Sequence, residues 1–377
     1  MPSTLMLLSN PHRPDPRVLL EARALMGAGY EVNLIAWDRE ASRAPEADEN
    51  GIHVLRLGPR CPSRSARRIL GRLPRFWMRA LRASRTVRFD VVHAHDFDTL
   101  PLGMTISRLS GRPLIYDAHE LYAKMVESEV GPVSKLIWAW ERRCARRAEE
   151  VITVSDALAA ELSVGRKEKA RVVATSQDLS VVKGADVQKI KDKYGLKGFV
   201  VSYLGSLEPG RFIEEFMSSF KPEDKVTLLI GGSGTLEPQI VKEAQRNPAL
   251  MFIGTVDADE ALRLTWASDL VLAMMDSSNP NNVVGTPGKI INAMAVGRPM
   301  VTTRGLDIAK RVEGAGCGIV IPYSRPAFIE VVLKAAADPK VLADMGRKGL
   351  ELYQKDYSWN KARDALLTAY RDLGRPS

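Results

Sequence analysis

The sequence predicts an α/β protein built from two doubly wound, mostly parallel sheets. Short apolar runs rich in β-branched residues alternate with amphipathic stretches at helical spacing, as in strand–helix repeats. The alternation pauses once, in the charged stretch 180–198, and then restarts. At ~100–200 residues per domain, a chain of 377 residues has room for two such halves.

The first half contains seven predicted strands and at least three long helices. The strands are Thr4–Leu8, Val32–Trp37, Ile52–Leu57, Val91–Ala94, Leu114–Tyr116, Val151–Val154 and Arg171–Ala174. The helices are Arg17–Ala28, which would stop at Gly29, then Thr99–Ser110 and Leu136–Glu149. Ser155 or Asp156 is suited to cap a further helix. Because Thr4–Leu8 lacks a positive leader, we expect it to be the first strand rather than a signal peptide.

The second half repeats this pattern and ends in helices. Its predicted strands are Phe199–Leu204, Val226–Ile230, Met251–Ile253, Leu270–Met274, Met300–Thr302 and Gly318–Ile321. A helix is predicted over Lys289–Val296, and three more over 326–373. The carboxyl ends of parallel strands form one edge of a sheet, where α/β proteins bind ligands. Two facing halves would place both edges along one cleft.

Histidines and carboxylates follow two strands of the first half. His93, His95 and Asp96 end one strand, and Tyr116-Asp117-Ala118-His119-Glu120 ends another. The His-x-His spacing points both rings to one face of a strand. One interpretation is a polar site, and the other is a set of hydrogen-bonded structural histidines. A metal site is possible on residue type, but no cysteine lies nearby and we expect none.

Glycines follow several strands of the second half. Gly205 opens the loop Gly205–Arg211, and Gly231–Gly234 follows the next strand. Such loops let backbone N–H groups approach a phosphate, although turns also need glycine. Neither loop is a Gly-x-Gly-x-x-Gly fingerprint or a P-loop, which argues against a dehydrogenase or a P-loop nucleotidase.

The segment Gly285–Asn292 combines a polar loop with a helix start. Thr286, Pro287 and Gly288 open the helix, and Pro287 suits its first turn. Lys289 then lies at the end of the helix where a cation is unfavourable. An anionic ligand opposite Lys289 would explain its position, whereas an exposed lysine would tolerate the cost.

The segment Gly285–Pro299 resembles the signature region of family 4 retaining glycosyltransferases, which have the GT-B fold. The resemblance extends along nearly the whole chain. It includes the loop around Asp15 and Arg17, the His93–Asp96 and Tyr116–Leu121 strand ends, Val151–Ser155, Gly205–Arg211 and Tyr357–Trp359. It implies an acceptor-binding domain over 1–180, a donor-binding domain over 195–355, and a terminal helix over 356–377 that returns to the first domain.

The resemblance also implies roles for individual residues. Arg211 and Lys289 would neutralise the diphosphate that leaves the donor, where negative charge develops, so that no metal or cofactor is required. His119 would contact the transferred sugar. The remaining donor contacts would come from Gly205, Ser206, Gly232, Gly234, Thr255, Val256, Gly285, Thr286, Pro287, Gly288 and Asn292. The acceptor side would include Asp15, Arg17, His93, His95 and Asp96.

The chain departs from the family pattern at three positions. Val284 and Asn292 stand where relatives usually carry a pair of glutamates, the second of which binds the ribose hydroxyls. Asn292 still offers one acceptor and two donors, but no charge. Ser206 replaces a frequent arginine. These departures leave open which donor is used and whether the chain is catalytically impaired.

The segment Ser63–Arg88 is strongly basic. Eleven arginines and no acid lie between Arg56 and Arg88, in a chain whose net charge is +9. Apolar residues from Ile69 to Leu81 have helical spacing beside an arginine stripe, and Pro74 is expected to divide the helix. A basic amphipathic helix with aromatic residues favours an anionic membrane surface. The alternative is an exposed cationic face packed on the core. No motif indicates nucleic-acid binding.

Together these features predict a retaining, metal-independent glycosyltransferase. It would move a sugar from a UDP- or GDP-sugar co-substrate to a lipid-linked glycan, lipid or polysaccharide. Three widely spaced cysteines and no apolar run of ~18 residues favour a cytoplasmic protein, peripheral on the inner face of the cell membrane. The alternatives are a catalytically impaired sugar-nucleotide-binding partner and a sugar-nucleotide epimerase of the same fold.

Overall fold

Two parallel sheets form the framework of the chain, as the predicted fold class requires. The computed structural model describes residues 1–12, 15–63, 65–177, 179–279, 282–283 and 285–373, except for the side chain of Ser128. Contacts divide the chain into two units. The first comprises Met1–Ala174 and the segment from Asn360 onward, and the second comprises Thr175–Trp359.

The first unit is built on an eight-stranded sheet with the order β3-β4-β2-β1-β5-β6-β7-β8. Its strands are β1 Ser3–Leu8, β2 Glu31–Trp37, β3 Glu46–Glu49, β4 Ile52–Leu57, β5 Val91–His95, β6 Leu114–Ala118, β7 Glu150–Thr153 and β8 Arg171–Val172. All neighbours are parallel except β3 and β4. The central strands are buried along their whole length, which explains their continuous apolar runs.

Seven α-helices lie within the described residues of this unit. They are α1 Pro16–Gly27, α2 Ala66–Ala83, α3 Leu100–Ser110, α4 Tyr122–Val130, α5 Val133–Ala145, α6 Asp156–Ser163 and the terminal helix, α15 Trp359–Asp372. Ser155 caps α6, because its side chain accepts a hydrogen bond from Leu158 N at 3.3 Å. The terminal helix packs on β1 and β5 through Tyr370, whose hydroxyl lies 3.0 Å from Thr4 Oγ1 and 2.9 Å from His93 Nδ1.

The second unit has a six-stranded parallel sheet with the order β11-β10-β9-β12-β13-β14. Its strands are β9 Phe199–Leu204, β10 Val226–Gly231, β11 Leu250–Phe252, β12 Leu270–Ala273, β13 Met300–Thr303 and β14 Gly318–Ile321. Its helices are α7 Val187–Tyr194, α8 Ile213–Phe216, α9 Glu237–Ala244, α10 Ala258–Ala267, α11 Gly288–Ala295, α12 Asp307–Ala315, α13 Arg325–Ala337 and α14 Pro339–Leu352. A π-helical turn, Tyr353–Tyr357, follows α14.

Each sheet reverses its strand order at one point. In the first unit the chain runs outward from β1 and returns to β5, which lies directly beside β1. In the second unit β9 and β12 are the corresponding neighbours. Loops diverge at such switch points and leave a crevice at the carboxyl ends of the strands. The topology therefore points to the ends of β1 and β5, and of β9 and β12, as the places for ligands.

Two local predictions were wrong and one strand was missed. Pro74 does not divide the basic helix, since α2 continues from Ala66 to Ala83; a proline removes only one intrahelical hydrogen bond, and packing on the core sustains the rest. Pro287 precedes the first turn of α11 as its N-cap residue. The edge strand β3, Glu-Ala-Asp-Glu, has no apolar alternation and was missed.

The described part of the chain contains no helix that is both long and apolar enough to span a bilayer. Cys61, Cys144 and Cys317 are buried and free.

Candidate active site

A histidine–carboxylate cluster lies at the carboxyl ends of β5 and β6 in the first unit. It consists of Arg17, Glu21, His93, His95, Asp96, Asp117 and His119. Strands β5 and β6 are adjacent and parallel, and the register pairs His95 with Asp117. Helix α1 contributes Arg17 and Glu21 one turn apart. The sheet therefore brings together four of the five residues predicted for the acceptor side.

Asp117 is the negative centre of this cluster. Arg17 donates to both of its oxygens, from Nε at 3.1 Å and from Nη2 at 2.8 Å. Burial alone would raise the pKa of Asp117, but Arg17 and His119 hold that pKa well below its usual range. Burial raises the pKa of the neighbouring Glu21 carboxyl to about 8, against the influence of Arg17. Asp117 is thus the charged partner of Arg17 at neutral pH.

His93 and His95 form a stacked pair, as the His-x-His spacing predicts. Their ring centroids are 4.3 Å apart and both side chains are fully buried. Burial lowers the pKa of both rings, so they are neutral at pH 7. His93 Nδ1 contacts the Tyr370 hydroxyl and His95 Nδ1 contacts Asp117. These contacts are those expected of hydrogen-bonded structural histidines, one of the two interpretations of this pair.

Four side chains of the cluster could serve as metal ligands by residue type. Glu21, His93, His95 and Asp117 each offer one ligand atom, all within 4.8 Å of one another. However, Arg17 already pairs with both carboxylates, at 3.1 Å from Glu21 and 2.8 Å from Asp117. The positive charge of a guanidinium therefore lies within the same group of side chains.

His119 is held between two carboxylates. Its Nε2 lies 2.9 Å from Asp117 Oδ2 and its Nδ1 lies 3.2 Å from Asp96 Oδ2. Although burial alone would lower it, Asp96 and Asp117 raise the pKa of His119 to about 10. The ring is therefore an imidazolium at neutral pH, with about a fifth of the side chain exposed. It presents positive charge, with Nε2 donating to Asp117 and Nδ1 in ion-pair contact with Asp96.

Asp96 occupies a strained position at the end of β5. Its φ of +61° is unusual for a non-glycine residue, and its Oδ1 accepts a hydrogen bond from His119 N at 2.9 Å. Asp15, also predicted for the acceptor side, has a structural role here. Its carboxylate caps α1 at Val18 N, 3.2 Å away, and accepts from Asn10 Nδ2 at 3.0 Å.

In the second unit, three strand-end loops pack backbone against backbone. Gly205 N donates to Gly231 O at 2.9 Å, and Gly232 N donates to Gly254 O at 2.8 Å. A Cβ on Gly232 would lie 1.8 Å from Gly205 O, and one on Gly234 would lie 2.3 Å from Leu207 O. Glycine is thus required at both positions by loop packing, independently of any ligand.

Two cations converge beside these loops. Lys289, in the first turn of α11, places Nζ 4.2 Å from the Tyr203 ring centroid and close to Gly205. Burial, with a contribution from Arg211, lowers the pKa of Lys289 to about 7. Among the described residues, neither Lys289 nor Arg211 has a carboxylate partner. Two basic side chains without a carboxylate partner at glycine-rich strand ends are an arrangement that suits an anion.

A strained turn holds Arg211 in place. The next residue, Phe212, has a φ of +62° and a fully buried ring. Its N–H donates to the Tyr323 hydroxyl at 2.8 Å, and its ring packs edge-on against Tyr323 and Phe328. The surrounding packing thus imposes a conformation that costs of order 1–3 kcal/mol, and in doing so fixes the loop that carries Arg211.

The other predicted donor residues lie on neighbouring loops of the second unit. Ser206 and Thr255 are exposed, while Val256 packs against the cluster around Leu229 and Leu264. Gly285, Thr286 and Pro287 lead into α11, and a Cβ on Gly288 would meet no atom within 4 Å. Asn292 keeps a buried Oδ1 without a hydrogen-bond partner in the described chain. Val284 lies outside the described residues.

Sequence reasoning left four residues of these sites unassigned. Asp117 and Glu21 stood in recognised motifs, but nothing in their spacing showed that they share Arg17. Tyr203 and Tyr370 carried no signal, since a tyrosine in a strand or an amphipathic helix is ordinary core composition.

Two protein-family models match the chain. The model of Glycosyltransferase Family 4 matches residues 17–180, and the model of Glycosyl transferases group 1 matches residues 198–338. A D-inositol 3-phosphate glycosyltransferase of Mycobacterium marinum is 26% identical over 315 residues, which are 78% of this chain and 66% of that protein.

Solved structures share the fold at low identity. Sucrose-phosphate synthase from Thermosynechococcus elongatus superposes with a TM-score of 0.80 at 16% identity, covering 99% of both chains. Anabaena HepE in complex with UDP-glucose gives 0.72 at 18% identity, covering 98% of this chain and 99% of HepE.

Two Rossmann-like sheets and a terminal helix that returns to the first unit define the GT-B fold. The two matching models together span most of the chain, and the chain belongs to the family 4 glycosyltransferases.

Proposed function

We propose that this glycosyltransferase moves a sugar, with retention of configuration, from a nucleotide diphosphate donor to a lipid-linked glycan, lipid or polysaccharide. The observation that carries the proposal is the pair of cations, Arg211 and Lys289, beside the loops of Gly205 and Gly232. When the bond between the sugar and the diphosphate breaks, negative charge grows on the leaving oxygen. Fixed cations at that point stabilise the transition state more than the ground state.

The surrounding groups fit the rest of a nucleotide sugar. The segment that leads into α11, from Gly285 to Gly288, would offer the backbone N–H groups of Gly285, Thr286 and Gly288 to the diphosphate. The unpartnered Asn292 Oδ1 can accept from a ribose hydroxyl. Because Val256 packs inward, the base would be held through the backbone of Thr255 and Val256. HepE has been crystallised with UDP-glucose, which supports a UDP-sugar as the first donor to test, with GDP-sugars next.

His119 would act on the sugar through its charge. Nε2 already donates to Asp117 and Nδ1 lies in ion-pair contact with Asp96, so a sugar hydroxyl would share the Asp96 contact or replace it. Arg17, His93 and His95 would keep His119 and Asp96 in position rather than contact the acceptor themselves. This modifies the acceptor roles implied by family resemblance.

We propose that transfer needs no metal ion. Two basic side chains would provide the charge at the diphosphate, and Arg17 neutralises the buried Asp117 carboxylate of the first unit. Dialysis against EDTA should leave the turnover rate unchanged, with the metal content of the sample measured in parallel. A loss of turnover that a divalent ion restores would contradict metal independence.

The acceptor and the location of the enzyme are proposed from the basic segment Ser63–Arg88. Six arginines of α2 are exposed, namely Arg67, Arg68, Arg72, Arg75, Arg79 and Arg82. They suit the inner face of the cell membrane. The relatives include D-inositol 3-phosphate glycosyltransferases, so a small phosphorylated polyol belongs in the same acceptor screen.

The decisive test is donor binding by calorimetry, followed by transfer assays with UDP- and GDP-sugars. Lys289→Ala and Arg211→Ala should each weaken donor binding at least ~10-fold, because each removes a charge-assisted contact. Lys310→Ala, which changes an exposed lysine of the same unit, is the matched control. A wild-type protein that binds none of these nucleotides would refute the proposal.

The second candidate is a catalytically impaired sugar-nucleotide-binding partner, which Asn292 favours because it lacks the charge of the usual glutamate. Asn292→Glu distinguishes the two. If the wild type binds donor but shows no turnover, and the glutamate does not restore it, the binding role is preferred.

A further inference from the structure

An apolar groove of about 470 Å³ opens between α2, α3 and α5 of the first unit. Its apolar walls include Trp77, Met78, Leu81, Leu102, Met104 and Trp140. The indole rings of Trp77 and Trp140 pack edge to face with centroids 6.2 Å apart. The volume lies within the ~300–1,000 Å³ range of small-molecule sites.

The groove is basic as well as apolar. Arg108, Arg143 and Arg147 line it, and no acidic residue does. All three are exposed, and within the described ranges none of them forms an ion pair with a carboxylate. The exposed arginines of α2 add to this positive charge from the other side. Such a surface is complementary to an anion that carries an apolar chain.

Exposed apolar side chains are concentrated around the same helices. Met78 is 53% exposed and Trp140 is 45% exposed, although both line the groove. Further along α3 and α5, Leu109 is 67% exposed and Leu136 is 70% exposed. Another face of α2 is used internally, since Leu73, Phe76 and Ala80 are buried and Phe76 stacks on Trp37 at 5.3 Å. The basic helix therefore contributes its arginines and, through Trp77, Met78 and Leu81, one apolar wall of the groove.

We propose that this groove binds one acyl chain of an anionic bilayer lipid, with its phosphate held by Arg108, Arg143 and Arg147. The inference deepens the proposed function, on which its biological meaning rests, by assigning the membrane contact to a defined site. A chain in the groove covers the exposed faces of Trp77, Met78 and Trp140. The arginines at its edge then lie at the depth of the lipid headgroups.

Tryptophan quenching tests the site directly. Vesicles of phosphatidylglycerol brominated on the acyl chain should quench emission from Trp77 and Trp140. Vesicles of brominated phosphatidylcholine should not. Trp140→Phe should remove a large part of the quenched emission while the protein remains folded, since Trp140 is partly exposed. Vesicle binding without acyl-chain quenching of these residues would overturn the proposal.

Charge variants test the headgroup contact. Replacing Arg108, Arg143 and Arg147 by Gln should weaken partitioning into phosphatidylglycerol vesicles on the order of 100-fold, about fivefold for each basic side chain. The matched control replaces three exposed basic residues of the second unit, Lys242, Arg246 and Lys340, by Gln. Equal losses in the two variants would show that net charge, and not the groove, governs binding.

A filled groove provides the last control. Thr105→Phe adds bulk to an exposed position on the groove wall and should abolish acyl-chain quenching. Nucleotide binding is measured for every variant. Lost quenching with intact nucleotide binding in these variants supports the groove. Absent nucleotide binding in the wild type would refute the transferase proposal. The lipid site would still be decided by the quenching and partitioning measurements.

Discussion

Lys289 is a basic side chain whose pKa depends on whether an anion is bound beside it. It lies in a first helical turn and beside Arg211, two placements that disfavour an ammonium group. Burial and Arg211 lower its pKa to about 7, so near neutral pH the apo protein holds it partly deprotonated. A bound diphosphate would reverse this effect by favouring the charged form.

This argument gives a pH dependence with a definite sign. Donor binding raises the pKa of Lys289 and so takes up a proton above pH 7. Affinity for a nucleotide sugar should therefore fall as pH rises from 7 to 9, by up to about tenfold per pH unit. Calorimetry at pH 8 in two buffers of different ionisation enthalpy measures the uptake directly. Lys289→Arg keeps the charge and should flatten the profile. An unchanged profile in that variant would assign the pH dependence to another group.

Asp117 is the residue on which the histidine–carboxylate cluster depends. Asp117→Asn removes the charge that faces Arg17 and His119, leaving a buried guanidinium without its bidentate partner. Breaking a buried pair in this way costs about 3–5 kcal/mol, so the free energy of unfolding in urea should fall by that order. The pKa of His119, followed by NMR, should fall as well.

The comparison for Asp117→Asn is Asp307→Asn, which removes a partly exposed carboxylate paired with Lys310. That variant should change the free energy of unfolding by less than ~1 kcal/mol. Similar losses of unfolding free energy in the two variants would mean that the buried Asp117–Arg17 pair contributes no more to stability than an exposed ion pair.

Much of the cluster could be predicted because it follows from strand geometry. Alternation along β5 gives the His93–His95 pair, and adjacent parallel strands bring His119 beside them. The partners of Arg17 could not be predicted, because they depend on how α1 sits on the sheet and not on any local pattern. The same holds for Tyr370, which lies 277 residues from His93 along the chain.

At the scale of elements, regular strands and helices were predictable where apolar periodicity was strong. The central strands of both sheets were located within a few residues, since burial on both faces requires continuous apolar runs. The edge strand β3 was missed because an exposed edge needs no apolar residue. The continuity of α2 through Pro74 was also missed, because packing of Leu73 and Phe76 outweighs the lost hydrogen bond.

The glycine loops of the second unit also need glycine because their backbones pack closely together. The effect of this packing on stability can be measured. Gly232→Ala places a Cβ 1.8 Å from Gly205 O at a φ of +141°. We expect a loss of about 3 kcal/mol or more in stability, together with loss of nucleotide binding. Gly288→Ala is the control, because its Cβ meets no atom within 4 Å and it lies in a helix.

Gly288→Ala should leave stability equal or slightly higher. Weakened donor binding in that variant would then report close approach of the diphosphate to Gly288. A Gly232→Ala protein as stable as the wild type would show that the loops do not pack as described.

At the scale of the whole molecule, the first unit is assembled from both ends of the sequence. The terminal helix α15 returns to β1 and β5, where Leu366 and Ala369 are fully buried and Arg171 pairs with Asp372 at 2.8 Å. The chain thus forms most of the first unit, then the second unit, and finally adds helix α15 to the first unit. Folding of the first unit to its full stability therefore depends on residues that follow the second unit in the sequence.

Tyr370 is the point at which this closure reaches the candidate active site. Its hydroxyl contacts Thr4 and His93, and both partners are buried. Tyr370→Phe keeps the ring and leaves two buried polar atoms without a partner, at about 1–3 kcal/mol each. We expect the unfolding midpoint of the first unit to fall, while that of the second unit stays constant.

Two probes separate the units in this experiment. Protection of amide hydrogens in β1 and β5 reports on the first unit, and protection in β9 and β10 reports on the second. A saturating nucleotide sugar should stabilise the second unit equally in the wild type and in Tyr370→Phe, by mass action at the donor site. If Tyr370→Phe instead lowers protection in both sheets equally, the chain unfolds as a single cooperative block. The terminal helix would then be holding the whole molecule rather than the first unit alone.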